Sequence, residues 1–144
     1  MEKKYSIEEV FNLIGEEYLL RRNQIGRIRK DKNNDVIVDS YIVKRNSLRY
    51  MTFYQKGTTC VCCGRQGAYF KLDMGDSHSK DSNRRHFNLY SEDGILMTKD
   101  HINPQSKGGK NNIENMQTMC SICNSKKADK IDILMEGKKN ETSS

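Results

Sequence analysis

One stretch, Thr98-Lys-Asp100-His101-Ile-Asn-Pro104-Gln-Ser-Lys-Gly108-Gly109, followed closely by Asn115-Met-Gln-Thr-Met-Cys120-Ser-Ile-Cys123-Asn124-Ser-Lys-Lys127, carries most of the chemically distinctive residues of the chain. It contains one Cys-x-x-Cys pair, Cys120/Cys123, and Cys60-Val-Cys-Cys63 supplies a second. Two such pairs make the four-thiolate tetrahedron of a structural zinc site, and a shell filled by four cysteines leaves no open position for water. The predicted zinc therefore holds the fold and does no chemistry. Cys62 is a third thiolate in the first knuckle; it could replace Cys60 or Cys63 as ligand, but is read as a plain small side chain. The interval from Gly64 to Met119 is long for a simple ribbon, so it must hold inserted structure.

Working outward, Ala68–Leu72, His86–Tyr90 and Ile95–Lys99 read as short strands, with Ser91-Glu-Asp-Gly94 as the turn between the last two and residues 73–84 as a loop. Upstream, Ser6-Ile-Glu-Glu9 has the spacing of a capping box, and Val10, Phe11, Ile14, Tyr18 and Leu19 recur at helical intervals, predicting an amphipathic helix over residues 7–22. Residues 21–32 carry Arg21, Arg22, Arg27, Arg29, Lys30 and Lys32 against Asp31 alone. The turn-rich Lys32-Asn-Asn-Asp35 and the β-branched run Val36 to Val43 follow, which predicts strand, turn, strand. Ser47 to Tyr54 reads as a short helix that Ser47 can cap and Gly57 can end. The expected organisation is an N-terminal arm over residues 1–56 (helix, basic hairpin, short helix), a zinc-stapled domain over 57–136, and a polar tail over 137–144 that cannot bury enough apolar surface to order itself.

The chain's 144 residues suffice for one functional unit but not two full-sized cores. With 35% hydrophobic residues and no Trp, the core is modest, and a metal compensates. A net charge of +6 suits a polyanionic partner without identifying one. No apolar run is long enough to span a bilayer, and the first residues lack the apolar stretch of a signal peptide. The expectation is a soluble, cytoplasmic protein, in whose reducing surroundings paired cysteines are ligands rather than disulfides.

An Asp-His pair alone arises often by chance. Here the pair is joined by Pro104, a Gly-Gly loop, Asn115 and a Cys-x-x-Cys-Asn-x-x-Lys helix start, and in this combination the chain resembles the HNH endonuclease family. His101 precedes Asn115 by 14 positions and Asn124 by 23. Both offsets look like those of the HNH domain of RNA-guided CRISPR effectors, and the cysteine frame looks like that of stand-alone phage and restriction HNH nucleases. The likeness covers residues 57–130. It implies an α+β, ββα-metal core, in which two short strands and a helix surround one catalytic divalent ion. It also implies hydrolysis of DNA phosphodiester bonds, by nicking when a single copy acts.

By that resemblance Asp100 and Asn124 are oxygen ligands of magnesium or manganese, His101 takes a proton from the attacking water, and Asn115 bridges the loop that holds the backbone around His101. Adjacent strand residues point to opposite faces, so Asp100 and His101 can share a site only if the strand distorts, a break that Pro104 favours. Lys127 lies on the same helical face as Asn124 and is placed to meet a phosphate. Lys107, Lys110, Lys126 and Lys130 flank the motif, and Arg27 and Arg29 in the arm are candidates for a second DNA contact; for all of these a solvated face is the plain alternative. His78 and His86 are left outside the catalytic set. Two rival functions remain open: a zinc module that binds nucleic acid without cutting it, and a protein-interaction module whose zinc core scaffolds the N-terminal helix. A homodimer or a larger phage or defence complex is compatible with any of these.

Overall fold

The computed structural model describes residues 2–24, 34–74 and 83–128. The capping box forms as expected: the Glu9 amide donates to Ser6 Oγ and the Ser6 amide to Glu9 Oε1, opening helix α1 (Ile7–Ile14). The helix does not continue to residue 22. Gly15, at φ +89°, breaks it, and a separate turn of helix, α2 (Glu16–Leu19), follows. The Arg45 guanidinium donates to the Ile14 carbonyl at 3.2 Å, so a distant side chain stabilises the broken end.

The β-branched run is a hairpin in its own right. Strands β1 (Asp35–Val38) and β2 (Tyr41–Lys44) pair antiparallel around Asp39-Ser40, both with positive φ, so a turn falls inside the run; the turn expected at Lys32–Asp35 lies partly outside the described residues. The strand expected before it lies mostly outside the described residues. Helix α3 (Leu48–Lys56) starts at Ser47, whose side chain makes no capping bond, and stops at Gly57 with φ +96°.

Strands β3 (Gly67–Met74) and β4 (Arg84–Ser91) form a long antiparallel pair, and β2 joins β4 in parallel, giving the sheet order β1-β2-β4-β3. The Ser91–Gly94 turn passes from this sheet to a second one. There β5 (Met97–His101) pairs with β6 (Met116–Cys120), and residues 121–128, here α4, are helical immediately after β6.

One core spans these elements. Phe70 and Phe87 meet edge to face at 6.0 Å, Tyr5, Phe53 and Tyr50 pack around them, and the same cluster reaches Met97, Cys60, Cys120 and Cys123. Edge-to-face aromatic packing of this kind is worth more than the buried area alone. Beyond its short pairing with β2, the β4 backbone meets α3, where the Tyr50 hydroxyl accepts the Phe87 amide at 2.9 Å. A second small cluster, Leu48, Met51, Ile113 and Met116, lies between α3 and the base of the β5–β6 connection. The hairpin thus rests on a helix through apolar side chains, leaving its other face and its connecting loop for polar residues.

Candidate active site

The two cysteine pairs meet. The sulfurs of Cys60, Cys63, Cys120 and Cys123 all lie within 4.8 Å of one another, and Cys63 and Cys120 are 3.8 Å apart. A tetrahedron with Zn–S bonds of about 2.3 Å has S···S edges of about 3.8 Å, so the cluster can hold a metal such as zinc. Cys62 is exposed and outside this group. The first knuckle closes through the Gly64 amide on the Cys60 carbonyl, and the second through the Cys123 amide on the Cys120 sulfur. Burial pushes the Cys60 thiol up, but backbone groups of Cys120, Cys63 and Cys62 directed at its sulfur outweigh burial and bring it down to about 6, the thiolate form a metal requires. Arg65, which sequence reasoning passed over, donates toward Cys120 at 3.7 Å and Cys63 at 3.9 Å and pairs with Asp93, placing positive charge beside the thiolates.

Strand β5 carries Thr98 and Asp100, in register with Met119 and Gln117 of β6. The Asp100 side chain is only 12% exposed; its Oδ2 accepts from Gln117 Nε2 at 2.8 Å and from Lys127 Nζ at 2.6 Å. Lys127 Nζ also donates to the His101 carbonyl at 2.8 Å. Asn124 follows Cys123 on α4, and its amide nitrogen donates to Thr98 Oγ1 at 2.9 Å while Thr98 donates to the Met119 carbonyl. The pairing of β5 with β6 runs without a bulge through His101, so the expected strand distortion is absent. His101 is instead the last strand residue, free of the pleat beyond it, and shares a cleft with Asp100 for that reason. The cleft, about 180 Å³, is lined by Asp100, His101, Pro104, Gln105, Asn124 and Lys127, together with Ala128.

The loop between β5 and β6 is held from inside. Asn115 Oδ1 accepts the Asn103 amide at 2.8 Å, and its Nδ2 donates to the carbonyls of Asn103 at 3.0 Å and Lys110 at 2.9 Å. Gly108 sits in the left-handed region at φ +88°, and a Cβ on Gly109 would lie 1.7 Å from the Asn103 carbonyl oxygen, so both glycines are needed for the loop's path. His101 Nε2 lies 2.6 Å from Asn111 Oδ1, which Gln105 Nε2 also meets at 3.1 Å. Neither Asn111 nor Gln105 carried a signal in the sequence; Gln117 would have emerged from the hairpin register.

Lys107 and Lys110 are exposed on this loop, and Lys126 is exposed on α4. Arg27, Arg29, Lys130 and His78 lie outside the described residues. Close to them in sequence, Arg22 accepts the Ile113 amide through its carbonyl and pairs with Glu114, so the arm runs against the loop's end. His86 is on β4, opposite Asp73, and does not line the cleft.

Residues 91–138 match the family model described as HNH endonuclease. The matched segment takes in β5, the loop, β6 and α4, hence Asp100, His101, Asn115, Asn124 and the second cysteine pair, and it begins after the first pair. No curated protein and no solved structure matches the chain. Among the described residues no helix is long and apolar enough to cross a membrane.

Proposed function

We propose that this protein is a metal-dependent HNH endonuclease that hydrolyses DNA phosphodiester bonds, nicking one strand when a single copy acts. The observation that carries the reading is the convergence of Asp100, His101 and Asn124 on one cleft within the segment that matches the HNH endonuclease model. In this reading β5, β6 and α4 are the ββα-metal unit, and zinc on the four cysteines is purely structural.

The cleft suits a hard cation by its donors: the Asp100 carboxylate and the Asn124 amide oxygen, left as that group's available end by the bond from its nitrogen to Thr98. The Lys127 ammonium lies between Asp100 Oδ2 and the His101 carbonyl, so a cation bound at Asp100 shares or displaces that ion pair. When bound there, magnesium or manganese supplies Lewis-acid stabilisation of the scissile phosphate and the departing oxygen. His101 accepts a proton from the water whose oxygen attacks phosphorus as the bond to the leaving oxygen breaks. Asn115 keeps the His101 backbone in place, Lys127 lines the cleft, and the exposed Lys107 and Lys110 on the loop are available to phosphates. Arg27 and Arg29 are further candidates for phosphate contact, and cations in this number give an affinity that falls steeply with salt and does not specify sequence.

The test is cleavage of supercoiled plasmid with magnesium or manganese, comparing native protein with His101→Ala and with EDTA. Nicking by native protein alone is the expected result. Equal DNA binding without cutting by native protein under either metal would instead favour a non-catalytic zinc module.

A further inference from the structure

Asn111 stands beside the cleft without lining it, in the loop that connects β5 with β6. Three features deliver it to His101. The left-handed Gly108 and the close approach of Gly109 to Asn103 turn the chain back, the Gly109 amide bonding the Pro104 carbonyl at 3.0 Å. Asn115 holds the Lys110 carbonyl at 2.9 Å, fixing the backbone immediately before Asn111. The Asn111 side chain then meets two nitrogens through one oxygen, His101 Nε2 at 2.6 Å and Gln105 Nε2 at 3.1 Å.

That shared oxygen decides which ring nitrogen carries the proton. As placed, the Asn111 amide turns its oxygen, which only accepts, toward both the ring and the Gln105 amide nitrogen, which only donates. In that orientation His101 Nε2 is the donor, and Nδ1 of the neutral ring keeps its lone pair. We propose that Asn111, braced by Gln105, is a positioning residue that holds the proton on His101 Nε2 and fixes the ring so that Nδ1 is the nitrogen offered to the nucleophilic water. This rests on the nuclease reading for the water, but not for the ring. Asn111 touches no reacting atom; it acts through His101, as the carboxylate or carbonyl partner of a working imidazole commonly does.

The ring can be read independently of cleavage. In protein labelled with nitrogen-15, with His101 assigned by comparison with His101→Gln, native protein at a pH where the ring is neutral should show an Nε2–H proton protected from water exchange by about tenfold relative to a free imidazole. Asn111→Ala should lose that protection, Gln105→Ala should weaken it, and Asn111→Asp, which keeps an accepting oxygen, should retain it. In the plasmid assay Asn111→Ala should lower kcat about tenfold with KM for DNA unchanged, and Asn111→Asp should recover most of the loss. A proton found on Nδ1, or ring signals that Asn111→Ala leaves unchanged in a protein of native circular dichroism, overturns the assignment whether or not the protein cuts DNA. Ring signals as expected in a protein that never cuts would support Asn111's hold on the ring and count against the nuclease reading alone.

Discussion

Replacing Gly109 with alanine adds one methyl group where three backbone atoms already stand: the Asn103 oxygen at 1.7 Å, the Asn103 carbon at 2.7 Å and the Pro104 oxygen at 2.9 Å. Contacts under 3.0 Å are essentially never made by a real Cβ, and no flexible side chain can swing aside here. The two strands of the loop must separate by more than an ångström. The carbonyl under pressure is the one Asn115 holds, so the shift costs the Asn115–Asn103 bond, the Asn115–Lys110 bond and the Gly109–Pro104 bond together. At about 1 kcal/mol for each, the loop loses about 3 kcal/mol of local stability. Because the loop carries Asn111 against His101, a displacement of this size at the proposed base should lower the nicking rate by roughly a hundredfold. Gly94→Ala is the control: at φ +84° it is strained by a side chain, roughly 1–2 kcal/mol, yet nothing lies within 4 Å of the new Cβ and the turn is remote from the cleft. The assay pairs plasmid nicking with thermal unfolding for both variants. If Gly109→Ala cuts at the native rate, or loses no more activity than Gly94→Ala, the loop does not position the site as argued.

Three further outcomes test other parts of the structure. Thr118→Val removes the hydroxyl that donates to the Gly57 carbonyl at 2.5 Å from a fully buried position, and should cost about 1–3 kcal/mol in chemical denaturation; an unmoved midpoint would show that water replaces the bond. Stripping metal with a chelator, or Cys120→Ser, should unfold more than the knuckles, since Cys60, Cys120 and Cys123 belong to the main core; a zinc-free protein with unchanged unfolding temperature and full nicking would sink the structural role. Tyr50, pushed up by burial, and Tyr5, pushed up by burial and by its bond to Asp39, each reach about 12 in the folded chain. A raised pKa means the phenol form is favoured by folding, so this stability is complete below the ordinary value of about 10 and is lost as pH rises to about 12. Tyrosinate absorbance followed alongside circular dichroism should show Tyr5 and Tyr50 among the tyrosines that titrate late, and all tyrosines titrating together near 10 in folded protein would contradict it.

What could be read in the sequence was what depends on near neighbours. The Ser6–Glu9 capping box, Gly57 at the end of α3 and the Ser91–Gly94 turn are local bonds, and each forms. The cysteine pairs were legible because ligand spacing within a knuckle is local too. Gly15 was not, because a glycine within a helical pattern is tolerated, and the break is stabilised by Arg45, thirty-one positions from Ile14. Asp39-Ser40 lacks the Asn-Gly or Asp-Gly signature of a tight hairpin turn, and β-branched residues on both sides disguise two strands as one. The parallel pairing of β2 with β4 joins the arm to the domain, and no local pattern encodes it. At the site, Asp100, His101 and Asn124 stood out by residue type, whereas Gln117, Asn111 and Gln105 matter through register and loop path.

That division has a physical consequence for how the site is built. Asp100 is held by strand pairing opposite Gln117, and Asn124 follows Cys123 at the start of α4, so the two proposed oxygen donors are positioned by elements that also carry Cys120 and Cys123. Thr98 ties them more closely, accepting from Asn124 and donating to Met119 across the hairpin. His101 is differently held: its backbone ends a strand, but its ring depends on a loop kept in shape by Asn115 and two glycines. Rigid donors and a loop-held imidazole can therefore fail separately. Damage to the cysteine cluster should remove cation binding and cleavage together, whereas damage to the loop should spare cation binding at Asp100 and Asn124 and slow only the proton transfer. Manganese titration of Gly109→Ala separates the two cases: near-native affinity with slow nicking fits two independently held halves, and a parallel loss of both would mean that the loop and the donors form one unit.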